Sequence, residues 1–220
     1  MSKSRVEAFS DGVFAIAITL LVLTLAQPDD YARLAGALGR NWPSLAAFVV
    51  SFAVIGIMWL NHHSVFSRFE RIDRGLFYLN MLLLLTITFL PYPTGVLGEA
   101  LAKHEGTKTA AVVYGVTMAL NAFAWAAMWL YGSRHRRLLH ESFPESERRT
   151  ATLMFTSGVV IYTLAIGVAF LNAFAFLALQ GAVGVYYALD PISRRPGRRH
   201  EDGDDHGRQQ PATEPGSRPG

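Results

Sequence analysis

The sequence contains no cysteine and few charged residues. Of its 220 residues only 17% are Asp, Glu, Lys or Arg, whereas soluble chains carry about a quarter. The absence of cysteine excludes disulfide scaffolds, thiolate metal sites and thiol catalysis. Mean hydropathy is nevertheless +0.24 and 51% of the residues are hydrophobic. Because the last 31 residues are almost wholly polar, the apolar residues are concentrated in the first 189 positions, as in a membrane protein.

Long uncharged runs predict an all-α integral membrane fold with six transmembrane helices. A helix needs about 20 apolar residues to cross the hydrocarbon core. The predicted spans cover residues 9–26, 42–60, 76–94 and 110–131, and two more lie within 153–189. The last run is too long for one span, so we divide it near 170–172 into a hairpin of the fifth and sixth helices.

The positive charges orient these spans. With six spans both termini share a side, and 16 of the 20 Lys and Arg residues then lie on that side. By the positive-inside rule both termini are predicted to be cytoplasmic, in a multi-pass protein of the plasma membrane. A cleaved signal peptide is the alternative for the first span. Asp11 makes a signal peptide a poor interpretation, because this acidic residue lies where the apolar region of a signal peptide should begin.

The C-terminal residues 191–220 differ in composition from the membrane domain, residues 1–190. They are rich in Pro, Gly and charge and contain no aromatic residue, which predicts a disordered, polar cytoplasmic tail. Its arginines could attract anionic lipid, although a simply solvated tail is the plainer interpretation. Because the arginines cluster in loops and tail, the pI near 9.3 does not indicate nucleic-acid binding.

Several polar residues are predicted at one membrane depth. Arg5 and Asp11 flank the start of the first span, His62 and His63 end the second, and Asn80 lies one turn into the third. Such groups can satisfy one another by charge-assisted hydrogen bonds. The cluster could lock three helices together, or it could add a gating or proton-sensing role. We predict no metal, haem or other cofactor, since adjacent histidines point to different sides of a helix.

The first span has one apolar line along its length. At 100° per residue, Leu20 and Leu23 each lie within about 40° of Ile16, one on either side. Asp11, Ile18 and Val22 lie on the opposite side. Such a line ordinarily contacts lipid or another helix.

The residues around this line form a motif. Arg5, Phe9, Ser10 and Asp11 fit the pattern R-x-x-x-F-S-D, followed by an apolar helix. This resembles the hallmark of the prokaryotic branch of the transmembrane protein 175 potassium-channel family. Trp59 with residues 61–63, then Asn80 and residues 89–94, support the resemblance, which covers roughly residues 5–190.

The resemblance implies a homotetramer of six-helix subunits in which the first helix lines a pore that prefers potassium to sodium. It places the narrowest ring at Ile16, with Leu20 and Leu23 as further rings outward, and assigns the motif to Arg5, Phe9, Ser10 and Asp11. It implies no cofactor. A hydrophobic ring can gate by dewetting, and the TVGYG filter of common potassium channels is absent.

Two other functions use the polar cluster. A proton or solute transporter could use Arg5, Asp11 and a histidine as a relay, but a polar midplane site is missing. A membrane enzyme lacks support, because Ser10 has no positioned base within its helix. The remaining deep amides, Asn121 and Gln180, are each predicted to be satisfied by packing against another helix.

Overall fold

The computed structural model describes residues 2–25, 27, 31–140 and 143–188. These residues form eight α-helices and two short 3₁₀ segments. The helices are α1 Lys3–Leu20, α2 Leu34–Arg40, α3 Trp42–Phe66, α4 Arg74–Phe89, α5 Pro91–Lys103, α6 Thr107–Arg134, α7 Glu145–Leu171 and α8 Ala173–Ala188. The predicted tail 191–220 lies outside the described residues.

Five helical stretches in the described part are long and apolar enough to cross a membrane: Lys3–Thr24, Trp42–Phe66, Arg74–Lys103, Thr107–Arg134 and Glu145–Leu171. They coincide with the first five predicted spans. The predicted sixth span corresponds to α8, which has 16 residues and is about 24 Å long at 1.5 Å per residue. By length and composition the described residues therefore contain five spans and one shorter apolar helix, against six predicted spans.

The predicted break in the last apolar run is confirmed. α7 ends at Leu171 and Asn172 takes an extended conformation, with φ −156° and ψ 118°. Its side-chain Oδ1 accepts hydrogen bonds from the backbone N–H groups of Phe174 and Ala175, at 2.9 and 3.0 Å. Asn172 therefore ends one helix and caps the next, which explains why an amide interrupts the apolar run.

The third predicted span, 76–94, ends too early. α4 ends at Phe89, directly before the prolines, but α5 begins at Pro91 and extends the apolar helical stretch to Lys103. Proline is favourable in the first turn of a helix, where its missing N–H is not needed. The prolines therefore break α4 from α5 without ending the membrane-embedded segment.

α6 lies at the centre of the subunit and contacts α4, α5, α7 and α8. Its buried residues cover more than half of its circumference, and Val116, Leu120 and Phe123 are exposed on the remaining face. α1 lies at the periphery and packs one face against α3 and α4. This leaves a long face of α1 free in the single subunit.

Candidate functional site

The two faces of α1 differ sharply in burial. Val6, Ser10, Phe14 and Ala17 are buried against the other helices, and Leu21 continues this face into the following 3₁₀ segment, Leu21–Thr24. The spacing of three and four residues is that of one helical face. The face that meets α3 and α4 is therefore fixed, and the rest of α1 is available for other contacts.

The predicted constriction residues lie on the free face. Ile16 is 59% exposed and Leu23 is 77% exposed, with Leu20 between them also exposed. Leu23 belongs to the 3₁₀ segment, which turns about 120° per residue, so it lies almost directly above Leu20. The three side chains form one apolar stripe along the helix. Ile18 is half-buried against the core, whereas Val22, predicted to lie with it, is exposed.

A buried chain of hydrogen bonds joins three helices behind this stripe. His62 Nε2 of α3 donates to Asn80 Oδ1 of α4 at 2.9 Å, and Asn80 Nδ2 donates to Ser10 Oγ of α1 at 3.0 Å. Ser10 Oγ in turn donates to the Val6 carbonyl at 2.9 Å. The chain therefore runs in one direction and ends on a backbone carbonyl.

Aromatic rings enclose His62. Its ring stacks on Phe66 at a centroid distance of 4.1 Å and meets Phe14 edge-on at 5.3 Å. Trp125 of α6 lies edge-on at 6.2 Å. His62 therefore packs as an aromatic core residue whose polar edge is aimed at Asn80.

Asp11 has a different partner from the one predicted. Its Oδ1 accepts a hydrogen bond from Trp59 Nε1 of α3 at 2.9 Å. The sequence places a histidine near Asp11 as its hydrogen-bond partner. This prediction is wrong, because His62 Nε2 is bonded to Asn80 and His63 is exposed. An indole N–H has one donor and no acceptor, so a carboxylate one helix away is a natural partner.

Arg5 and Phe9 are exposed in the subunit, and neither joins the hydrogen-bonded chain within the described residues. Asp11 is exposed as well, and its Oδ1 is bonded to the Trp59 side chain. Of the seven residues predicted as the network, the structure links Ser10, His62 and Asn80 directly. Of the others, Arg5, Phe9 and Asp11 lie on α1 and His63 lies on α3.

A second buried polar cluster was not predicted from the sequence. Thr94 Oγ1 of α5 donates to Ser51 Oγ of α3 at 2.9 Å, and Ser51 lies 2.9 Å from Tyr114 Oη of α6. Next to it, α5 and α3 approach closely, because a Cβ on Gly98 would lie 2.9 Å from Ser44 Cα. Small residues permit such close helix contacts in membranes, and hydroxyls then bond across them.

The two deep amides behave differently. Asn121 Nδ2 donates to Thr86 Oγ1 at 2.8 Å, as predicted. Gln180 is buried, yet neither its Nε2 nor its Oε1 has a hydrogen-bond partner among the described residues. The prediction that packing against another helix satisfies Gln180 was therefore wrong for the single subunit.

At one end of the subunit two loops are joined, and we call this arrangement the loop clasp, formed by residues 67–73 and 135–140. Phe69 and Leu139 form an antiparallel bridge, and Glu70 N donates to the Leu138 carbonyl at 2.8 Å. Asp73 caps α4 through the Leu76 N–H at 2.9 Å. The clasp therefore ties the α3–α4 loop to the α6–α7 loop.

Asp73 also binds α6, since it accepts a hydrogen bond from Tyr131 Oη at 3.0 Å. Partial burial opposes ionisation of this carboxyl, but the hydrogen bonds from Leu76 and Tyr131 and the charge of Arg137 outweigh it. The pKa of Asp73 therefore lies below its usual value.

No group of three or more His, Asp or Glu side chains that could hold a metal ion occurs in the part of the chain that the structure describes. The candidate site is α1, a peripheral helix with an exposed apolar stripe. Hydrogen bonds near its start connect it to α3 and α4. With its long apolar helices, the chain is a multi-pass α-helical membrane protein.

The comparisons with known proteins identify the family. A family model described as endosomal/lysosomal potassium channel TMEM175 matches residues 5–91. A protein of Streptomyces collinus named a potassium channel is 44% identical over 192 residues, which are 86% of this chain and 93% of that protein. The chain therefore belongs to the TMEM175 family.

A solved structure and a mammalian relative extend this finding. The crystal structure of a lysosomal potassium-selective channel TMEM175 homolog from Chamaesiphon minutus has a TM-score of 0.76 and 37% identity, covering 85% of this chain and 96% of that chain. The Bos taurus protein named endosomal/lysosomal proton channel TMEM175 is 41% identical over 101 residues, 41% of this chain and 21% of that protein. These relatives are named as ion channels and not as enzymes.

Proposed function

We propose that this protein is a potassium-selective channel of four identical subunits, in which α1 of each subunit lines the pore. Ile16 forms the narrowest ring, and Leu20 and Leu23 form successive rings outward. The names of the Streptomyces and Chamaesiphon relatives support potassium as the permeant ion. Family membership supports a channel rather than an enzyme, and the function as proposed needs no cofactor.

The observation that carries this proposal is the free face of α1. Its apolar stripe shares that face with Gly12 and Thr19, which are exposed there, and with the exposed Arg5 at its inner end. A charged side chain facing lipid hydrocarbon is costly, so this face suits a water-filled path or a neighbouring subunit better than lipid. Closed rotational symmetry would bring four such faces around one axis.

The selectivity of such a pore rests on dehydration. A ring of isoleucine and leucine side chains offers an ion no oxygen ligands and disfavours water. An ion that sheds its hydration shell more readily passes such a ring at lower cost, which favours potassium over sodium. The buried chain from His62 to Ser10 and the Asp11–Trp59 bond hold α1 in register behind the ring.

The alternative of a transporter with a proton relay gains no support from the hydrogen-bond directions. The chain from His62 ends on the Val6 carbonyl, which cannot pass a proton on. Asp11 is bonded to an indole N–H, which does not titrate in the ordinary pH range. The mammalian name does make proton flux worth measuring beside potassium flux.

The decisive experiment is ion flux into liposomes that contain the purified full-length protein, with potassium, sodium and proton gradients in parallel. We expect potassium flux without any counter-substrate. Ile16→Asn should raise the sodium-to-potassium permeability ratio by about tenfold, equivalent to ~1.4 kcal/mol, because a polar ring lowers the dewetting barrier.

Two variants serve as controls for Ile16→Asn. Leu164→Asn places the same amide on the exposed face of α7, where Leu164 is 69% exposed, and should leave the ratio unchanged. Ile18→Asn should disturb packing and reduce current without changing selectivity. An Ile16→Asn channel of unchanged selectivity would place the constriction on another part of α1 or on another helix.

The proposed topology has six crossings, with α8 as the sixth and both termini in the cytoplasm of a cell whose plasma membrane holds the protein. An accessibility reporter fused after residue 190 should then report the cytoplasm, and one inserted at Glu105 the outside. A reporter after residue 190 that reads outside would show that α8 does not cross.

A further inference from the structure

The loop clasp forms one wall of a cleft at the end of the subunit where α3 ends, α4 begins, α6 ends and α7 begins. The cleft has a volume of about 550 Å³, within the usual range for ligand sites of roughly 300–1,000 Å³. The backbone bonds of the clasp, including His140 N to the Arg68 carbonyl at 3.2 Å, hold its two loops together. The backbone hydrogen bonds of the two loops therefore fix the shape of the cleft, which lies apart from the apolar stripe of α1 and the hydrogen bonds behind it.

The cleft is cationic. Four of its lining residues are arginines and two are glutamates, which leaves a net charge of +2: Arg71, Arg136, Arg137, Arg148, Glu70 and Glu145. Arg148 and Arg136 are held by Glu145, which positions them at the rim.

Two of the arginines have donors to spare. Arg71 lies 3.7 Å from Glu70 and is 78% exposed, and Arg137 lies 3.6 Å from Asp73 and is 74% exposed. A guanidinium has five N–H donors, so a single carboxylate contact leaves donors for a phosphate. Planar guanidinium groups bind phosphate oxygens in pairs.

The cleft also has an apolar part. Leu139 and Phe143 line it, and Leu139 is buried against the core. Phe143 is half-buried beside Trp129, and the Arg68 guanidinium lies 5.8 Å from its ring centroid. A cationic rim over an apolar wall matches a ligand with a phosphate at one end and hydrocarbon at the other.

We propose that this cleft binds the headgroup phosphate of an anionic phospholipid, with the glycerol and the first acyl carbons against Phe143. The cleft adjoins the ends of four long apolar helices, α3, α4, α6 and α7, and lipid phosphates lie at the ends of membrane helices. Basic pockets between membrane helices are known to bind such headgroups. Since Asp73 joins Arg137 to the start of α4, a bound lipid would also fix the helix that carries Asn80.

The test is thermal unfolding of the purified full-length protein in neutral detergent during titration with dioctanoyl phosphatidylglycerol. Dioctanoyl phosphatidylcholine, with the same chains and no net charge, and glycerophosphoglycerol, with the same phosphodiester anion and no chains, are titrated in parallel. We expect saturable stabilisation by phosphatidylglycerol alone. Equal stabilisation by glycerophosphoglycerol would mean a free-anion site, and equal stabilisation by phosphatidylcholine would mean nonspecific insertion; either result overturns the proposal.

The matched variants remove two charges each. Arg71→Gln with Arg137→Gln should weaken the apparent lipid affinity at least tenfold. Arg74→Gln with Arg134→Gln removes the same charge from exposed residues at the same end but outside the cleft, and should change the affinity less than twofold. Equal losses in the two double variants would show a diffuse surface charge and no site. Should the first pair fail to fold, Arg71→Gln alone should still weaken binding about threefold, and no loss would refute the proposal.

Discussion

The buried chain from His62 to Ser10 can be tested by a double-mutant cycle. Asn80→Leu removes the acceptor of the His62 Nε2–H, whereas Ser10 keeps its own bond to the Val6 carbonyl. The cost therefore falls mainly on His62, whose unpaired buried donor should destabilise the protein by about 1–3 kcal/mol.

The partner change is His62→Phe. It keeps the stacking on Phe66 and the edge contact with Phe14, but leaves Asn80 Oδ1 without its donor. In the double variant neither orphan exists, and replacing both partners by apolar groups can be nearly neutral. We therefore expect a coupling free energy of about 1 kcal/mol. Hydrogen bonds between membrane helices contribute about 0.6 kcal/mol on average and about 1.7 kcal/mol at most.

The assay is reversible unfolding of the full-length protein in mixed micelles with increasing dodecyl sulfate, followed by circular dichroism. The control cycle combines Asn80→Leu with His63→Phe, a change at the exposed neighbour of His62. The effects of these two changes should add within about 0.5 kcal/mol. If the effects in the His62 cycle are equally additive, the hydrogen bond between His62 and Asn80 contributes no stability, which would refute the prediction.

Two further predictions concern stability. The pKa of Asp73 is lowered in the fold, so its stabilising contribution is present above about pH 4, the pKa in the unfolded chain, and is lost as the pH falls through the folded pKa. Asp73→Ala should cost about 1 kcal/mol of stability at pH 7 and remove this acid dependence, as measured by thermal unfolding from pH 7 to pH 3. Tyr131→Phe should keep the helix cap and lose only part of the acid dependence. Gly98→Ala should lower the stability of the protein by roughly 1–3 kcal/mol, because the added methyl group overpacks against Ser44. Gly167→Ala, whose Cβ would have nothing within 4 Å, should be neutral or stabilising by up to about 1 kcal/mol. Equal effects of the two changes in the same unfolding assay would contradict the close contact between α3 and α5.

Hydrophobic runs predict the positions of the helices because crossing a membrane leaves the backbone little choice. Five of the spans and the break at Asn172 follow from this constraint. The helix ends do not, since α7 begins at Glu145, eight residues before the predicted apolar segment that starts at Leu153, and Glu145 pairs there with Arg148 and Arg149. Local ion pairs and capping decide such ends, and a hydropathy count does not register them.

Side-chain pairing within the site was predictable only in part. Depth alone brings Ser10, Asn80 and His62 together, but it does not choose between partners at equal depth. Trp59 was the missed partner of Asp11, and the need of an indole N–H for an acceptor was the signal that could have found it. The hydroxyl of Ser51 within an apolar span was a similar signal for the cluster with Thr94 and Tyr114.

The loop clasp gives the subunit one stiff end and one permissive end. Inserting residues between 69 and 72, or between 138 and 140, would pull apart backbone bonds that hold four helices in place. The turn at the opposite end, residues 104–106, is exposed and already takes left-handed backbone angles at His104 and Gly106. Epitopes, fluorophores and crosslinking handles therefore belong in that turn, where the chain can lengthen without moving a helix.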